Sequence, residues 1–136
     1  MTEVALAPDT TAQPPAVIVQ LLQKLAVPFQ ARQEQPDLKP AQRVQAVLLE
    51  DELGALLVLL PQNQLLDLSR LAELTGRKLV AVKPERLQRM LSKHQLALLP
   101  GLPALTSSPC LYEERLLQEP LLLIESGQAG VLLEIA

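Results

Sequence analysis

The sequence predicts a single α+β domain, a mixed and mostly antiparallel central sheet flanked by helices, and three observations carry that prediction. A chain of 136 residues is the size of one domain, able to bury about two-thirds of the surface its unfolded form exposes. Apolar residues make up 49% and charged residues 20%, the balance of a packed domain rather than of a disordered chain. Segments of helical period and apolar runs of strand length are intermixed along the chain without a repeat, as expected of helices around one sheet.

Residues 1–15, with Pro8, Pro14 and Pro15 among Thr, Ala and Gln, lack periodicity and read as a flexible leader to a domain over 16–136. From Ala16 to Ala26, Val17, Val19, Leu21, Leu22 and Leu25 give a helical face, with Gln20, Gln23 and Lys24 turned outward. Pro14 and Pro15 suit the start of that helix. Phe29 to Gln33 alternates as a short edge strand that Gln35-Pro36-Asp37 ends, and Lys39 to Arg43 reads as a brief helical turn. Val44 to Glu50 and Ala55 to Leu60 are β-compatible runs joined through Asp51-Glu52-Leu53-Gly54, a hairpin at the centre of the sheet. Asp67 or Ser69 caps a helix bearing Leu68, Leu71, Ala72 and Leu74, stopped by Gly76. Lys78 to Val82 reads as a strand. Pro84 opens a helix with Leu87, Met90 and Leu91 inward and Arg86, Arg89 and Lys93 outward, ending near His94. A Pro/Gly loop (Leu99 to Pro103) and a linker with Thr106, Ser107, Ser108 and Pro109 follow. Cys110 to Tyr112 reads as a short strand and Glu113 to Leu117 as a helical turn. Leu121 to Glu125 and Val131 to Ile135 form a second hairpin around Ser126 to Gly130.

Composition removes several function classes. The longest apolar runs, Gly54 to Pro61 and Pro120 to Ile124, fall far short of the roughly 20 residues a membrane-spanning helix needs. The N-terminus has no basic region or apolar stretch of the secretory kind. Cys110 stands alone, without a disulfide or CxxC partner, so a reducing cytoplasm fits and a small apolar packing role is expected of it. His94, the single histidine, has no second ligand at metal spacing and follows Lys93 at a helix end, where positive charge complements the dipole. No metal and no cofactor are expected. Glu50, Asp51 and Glu52 are adjacent in a turn and read as solvent-facing rather than as an acid/base pair. Ser126 to Gly130 lacks the Gly-Lys-Ser/Thr ending of a phosphate loop.

The order of elements from Arg43 onward carries a resemblance, together with Leu59-Leu60-Pro61 closing the hairpin, Leu66-Asp67-Leu68 opening a helix and Thr75-Gly76 ending it. The chain resembles the YbaK/prolyl-tRNA-synthetase-associated editing family over most of residues 16–136. The resemblance implies a trans-editing deacylase, a hydrolase of wrongly charged aminoacyl-tRNA, with the tRNA acceptor end as partner. In that family a Lys-Thr/Ser-Leu segment on the first hairpin strand supplies a pocket lysine, and this chain reads Gln45-Ala46-Val47 there. Gln45 therefore stands at the catalytic position. The family's Gly-x-x-x-Pro loop is matched by Gly101-Leu102-Pro103, two residues shorter, its acidic residue by Glu113, and its late turn by Ser126, Gly127 and Gly130. As implied by the resemblance, Gly101, Leu102, Pro103, Glu113, Ser126 and Gly127 would bind substrate.

Hydrolysis of an aminoacyl ester requires a placed water and stabilisation of a developing oxyanion. A glutamine offers amide donors but no charge, and losing one such stabiliser costs roughly 3 kcal/mol, or about two to three powers of ten in rate. Weak or absent activity is expected. The net charge of -3 conceals an asymmetry: between Arg70 and His94 seven basic residues face two acidic ones, giving +5 and leaving -8 elsewhere. Lys83, Arg86, Arg89 and Lys93 are the candidates for steering tRNA phosphates; the alternative is an ordinary solvated helix face. With Phe29 and Tyr112 the only aromatics, base stacking is nearly unavailable. Two functions follow. One is a deacylase using backbone amides and a positioned water. The other is a non-catalytic binding or regulatory module fused to or associated with another domain, as similar modules are with HDOD-type partners in some bacterial proteins. The apolar end at Ala136 fits a domain cut from a longer chain.

Overall fold

The computed structural model describes residues 13–35, 38–106 and 108–136; the expected leader through residue 12, the Pro36-Asp37 stop and Ser107 lie outside the described residues. Helix α1 (Ala16–Lys24) begins directly after Pro15, whose fixed φ suits a helix start. Its buried stripe is Ile18 and Leu22, one turn apart, while Leu25 is half exposed. The inward face is thus rotated from the expected Val19 and Leu25, because the i, i+4 pair meets the sheet. The edge strand β1 (Gln30–Gln33) follows.

Strands β2 (Arg43–Asp51) and β3 (Gly54–Pro61) pair antiparallel along their whole length, from Val44 opposite Pro61 to Asp51 opposite Gly54. Asp67 caps α2 (Leu68–Thr75) by accepting from the Arg70 amide at 3.1 Å, and Gly76 ends it at φ 70, a left-handed conformation that side chains disfavour. Strand β4 is only Val80–Ala81, shorter than the expected Lys78 to Val82, since it pairs with β2 over just two rows. Helix α3 (Pro84–Lys93) has Pro84 in its first turn and His94 as its C-cap. The segment expected as loop and linker contains one helical turn, α4 (Pro103–Thr106), closed by Thr106 Oγ1 donating to the Pro103 carbonyl at 3.2 Å. Strand β5 (Cys110–Tyr112), a 3₁₀ turn (Glu114–Gln118), and the hairpin of β6 (Leu122–Glu125) and β7 (Val131–Ile135) complete the chain.

The seven strands form one sheet in the order β1-β7-β6-β2-β3-β5, with β4 on β2. Most neighbours are antiparallel, but β2–β6 and β3–β5 are parallel. On one face Ile18 and Leu22 of α1 and Leu91 of α3 meet Val44, Ile124 and Leu133. On the other, Leu71 of α2 and Leu66 cover Leu49, Val58 and Leu60. Full burial of side chains such as Leu57 and Leu133 contributes about 1.5–3 kcal/mol each. Helix α2 buries none of its residues, and Leu68 and Leu74, expected on an inward face, stay largely exposed. Among the described residues no helix is long and apolar enough to cross a membrane.

The acidic turn is only partly solvent-facing. Asp51 accepts two hydrogen bonds from Arg77, from Nε at 2.8 Å and Nη2 at 2.5 Å, and Glu50 pairs with Arg86. The strand alternation explains the difference from the sequence expectation: Glu50 points to the α3 face and Asp51 to the α2 face, each toward an arginine from the adjoining helix or its exit.

Candidate functional site

Strand β2 has β3 on one edge for its whole length, so its other edge is shared. There β6 pairs with Arg43 and Val44, opposite Leu123 and Ile124, and β4 pairs with Leu49 and Glu50. Between these, Gln45, Ala46 and Val47, paired with β3 on the first edge, have no strand partner on this second edge among the described residues. β2 and β6 part after two rows, and the gap is a cleft of about 560 Å³. Arg43, Val44, Gln45 and Ala46 line one wall, Glu125 at the end of β6 another, and Leu98 and Leu99 with Gln62 to Leu65 the remainder.

The loop that supplies Leu98 and Leu99 is held from behind by the β6–β7 turn. The Gly127 carbonyl accepts from the amides of Ala97 at 2.8 Å and Leu98 at 3.2 Å. Gly127 has φ 97, a conformation side chains rarely adopt, and a Cβ there would stand 2.7 Å from Leu96 Cδ2, so any larger residue is strained and must displace the Leu96 side chain. Ser126 is fully buried and its hydroxyl donates to the Val131 carbonyl at 2.7 Å while accepting from the Gln128 amide at 3.2 Å. That hydroxyl is engaged in closing the turn.

Glu125 went unremarked in the sequence. Its Oε1 is buried and has no hydrogen-bond partner among the described residues. Burial pushes its carboxyl above the usual range; Arg43 opposes this by attraction, the Gly127 and Ser126 amides oppose it by donating, and Glu34 adds to it by repulsion. Arg43 itself is bonded to Glu34. The cleft therefore places a neutral amide, Gln45, and an under-satisfied carboxyl, Glu125, on facing strands. The signal for Glu125 was available only as an acidic residue ending an apolar strand before a Ser-Gly turn, a pattern any surface hairpin shares.

The other expected site residues are distributed. Gly101 lies buried against Ile124, Leu59 and Val44, its virtual Cβ 3.1 Å from Ile124 Cγ2. Leu102 belongs to the main core and Pro103 opens α4. Glu113 lines a second cleft of about 440 Å³ between α2 and β5, with Arg70, Arg115 and Tyr112. The two clefts share Gln64 and Leu65. Lys83, Arg86, Arg89 and Lys93 are exposed along α3 and line neither cleft. Leu87 and Met90 of α3 pack on the Ala46 and Leu48 side of β2, the face opposite Gln45. Burial raises the Cys110 thiol above its usual range, the wrong direction for a nucleophile. Among the described residues no group of His, Cys, Asp or Glu is arranged to hold a metal ion.

Comparison with known proteins places this architecture. A signal transduction protein from Marinobacter aquaeolei VT8 matches with a TM-score of 0.79 and 27% identity over 88% of this chain, which spans 26% of that protein's chain. A structure described as a trans-editing enzyme for prolyl tRNA synthetase matches with a TM-score of 0.70 and 20% identity, over 91% of this chain and 87% of the other. At that identity the likeness is one of fold. No curated protein matches the sequence. Residues 26–136 match the aminoacyl-tRNA editing domain family, and with its mixed seven-stranded sheet the chain belongs to that family.

Proposed function

We propose that this domain receives the aminoacyl-ester end of a tRNA in the cleft between β2 and β6 and hydrolyses that ester weakly or not at all. The supporting observation is Gln45, which lines the cleft at the position where the resemblance implies a lysine. The uncharged amide offers hydrogen-bond donors to a developing oxyanion but no Coulombic stabilisation, a loss of roughly two to three powers of ten in rate. The backbone of the Leu98–Gly101 loop, held by Gly127, shapes the wall against which the aminoacyl group lies. The exposed bases of α3 meet acceptor-stem phosphates; the loop leaving α3 continues into the cleft wall, which joins the two surfaces along the chain.

The test is deacylation of a panel of mischarged tRNAs by the domain and by its Gln45→Lys variant. Slow or no hydrolysis by the native domain and a rise in the variant are expected. A native rate comparable with that of a lysine-bearing family member overturns the reading.

A second reading is favoured by one observation: the chain corresponds to 26% of the signal transduction protein it resembles. In this reading the domain is a non-catalytic binding or regulatory module of a larger protein, retaining the cleft without the chemistry. Absence of hydrolysis in both forms, with the fold intact, selects it.

A further inference from the structure

We propose that Glu125 makes the cleft a site for a primary ammonium group, which in an aminoacyl ester is the α-ammonium of the amino acid. The inference rests on the reading of the cleft as an aminoacyl-ester site and assigns the part of the substrate that Glu125 recognises.

Three features carry it. First, Glu125 lies at the open end of β6, in the row after Ile124, which pairs with Val44; Gln45 follows Val44 on the facing strand, and both side chains line the cleft. Second, one carboxylate oxygen is buried without a partner among the described residues, and a buried carboxylate left under-bonded is costly unless a donor arrives. Third, no cation among the described residues forms an ion pair with that carboxyl. Gln45 is neutral, and the charged groups around Glu125 are Arg43 from β2 and Glu34 from the segment after β1, with Arg43 bonded to Glu34. The Ser126 and Gly127 backbone amides offset the burial of the carboxyl only in part, and a Cβ added at Gly127 would stand 2.7 Å from Leu96 Cδ2 and 3.4 Å from Pro100 Cγ, so the turn beside Glu125 is closely packed. An ammonium carries three donors and would supply both the missing hydrogen bond and a directly bonded positive charge. A charge-assisted contact of this kind is about twice as strong as a neutral one.

The experiment uses amino-acid methyl esters and their N-acetylated counterparts, titrated into the domain and followed by amide chemical shifts. The esters with a free ammonium are expected to shift the amides of Gln45 and of Glu125 to Gly127, and the N-acetylated forms to bind roughly ten-fold more weakly or worse. Glu125→Gln, which keeps the shape of the side chain, is expected to remove the difference. Equal binding of both forms, retention of the preference in Glu125→Gln, or no binding of any ester overturns the proposal. Non-hydrolysable aminoacyl-adenosine amides separate it from the reading on which it rests. If the methyl esters bind with the preference and the adenosine amides do not bind, the ammonium site stands and the tRNA reading falls. If the adenosine amides bind regardless of Glu125, the tRNA reading stands and the ammonium site falls.

Discussion

Arg77, just beyond the cap of α2, holds Asp51 at the tip of the β2–β3 hairpin with both its Nε and one Nη, and the same Nη2 donates to the Gly54 carbonyl at 3.1 Å. A single guanidinium thereby ties a helix exit to both sides of a turn. The Arg77 hydrogen bonds hold the Asp51 carboxyl well below its ordinary 3.8, at about 2. A carboxyl depressed in the folded state contributes stability above its unfolded value and loses it as pH falls through the folded one. Asp51→Asn should therefore be less stable than the native domain at neutral pH, and the gap should close between about pH 4 and pH 2. Denaturant unfolding at a series of pH values measures it; a gap independent of pH would show that the ion pair contributes nothing.

Glu125 has the opposite sign. Its carboxyl is raised above the ordinary 4.5, chiefly by burial, so ionising it works against the fold. Its favourable contribution is complete below 4.5 and disappears as pH rises through the higher folded value. Glu125→Gln should raise the melting temperature at neutral pH, with the advantage shrinking as pH falls toward and below 4.5. An advantage that persisted unchanged into acid would assign the effect to packing.

Gly127→Ala combines a left-handed φ with a 2.7 Å approach to Leu96. A destabilisation of roughly 1–3 kcal/mol is expected from the backbone alone, and more if the Leu96 side chain cannot yield. Because the Gly127 carbonyl anchors Ala97 and Leu98, amide exchange in that loop should accelerate in step. Loss of stability with unchanged loop protection would separate the turn from the cleft wall.

Reversing charge at Arg86 and Arg89 should weaken tRNA binding and lower the salt dependence of its affinity by about one to two contacts. The Glu50 partner of Arg86 means that Arg86 contributes less than its exposure suggests, so Arg89→Glu alone should carry much of the effect. Binding unchanged in the double variant would leave α3 an ordinary solvated face.

Local signals in the sequence located most elements. The apolar runs around Gly54, the Asp67 cap, the Gly76 stop and Pro84 each act within a few residues of the structure they determine. The intermixing of helices and strands around one sheet was legible as well, from the interleaving of periods, while the mixed pairing within the sheet followed from the family resemblance. What could not be read were partners distant along the chain. Nothing in Val44 specifies Ile124, and the parallel pairs β2–β6 and β3–β5 arise from the packing of both faces rather than from any turn. The same limit hid Glu125: its environment comes from Arg43, Glu34 and the parting of two strands, none of which is local. The acidic turn at Glu50 and Asp51 was misread for the same reason, since Arg86 and Arg77 reach them across 36 and 26 residues. Gln45 was singled out through resemblance alone, while its location where the second edge of β2 is unpaired came from the three-dimensional arrangement.

That unpaired edge makes the cleft a product of hydrogen bonds withheld. The β6–β7 and β2–β3 hairpins are each closed by their own ladder, and just two rows stitch one to the other. Continuing the stitching by two more rows would seal the opening with main chain and erase the cavity without altering any polar side chain. Conversely, the exposed side chain of residue 45 supports no core cluster, so exchanging a cation for an amide there changes the chemistry offered to a ligand while leaving the architecture that creates the opening untouched.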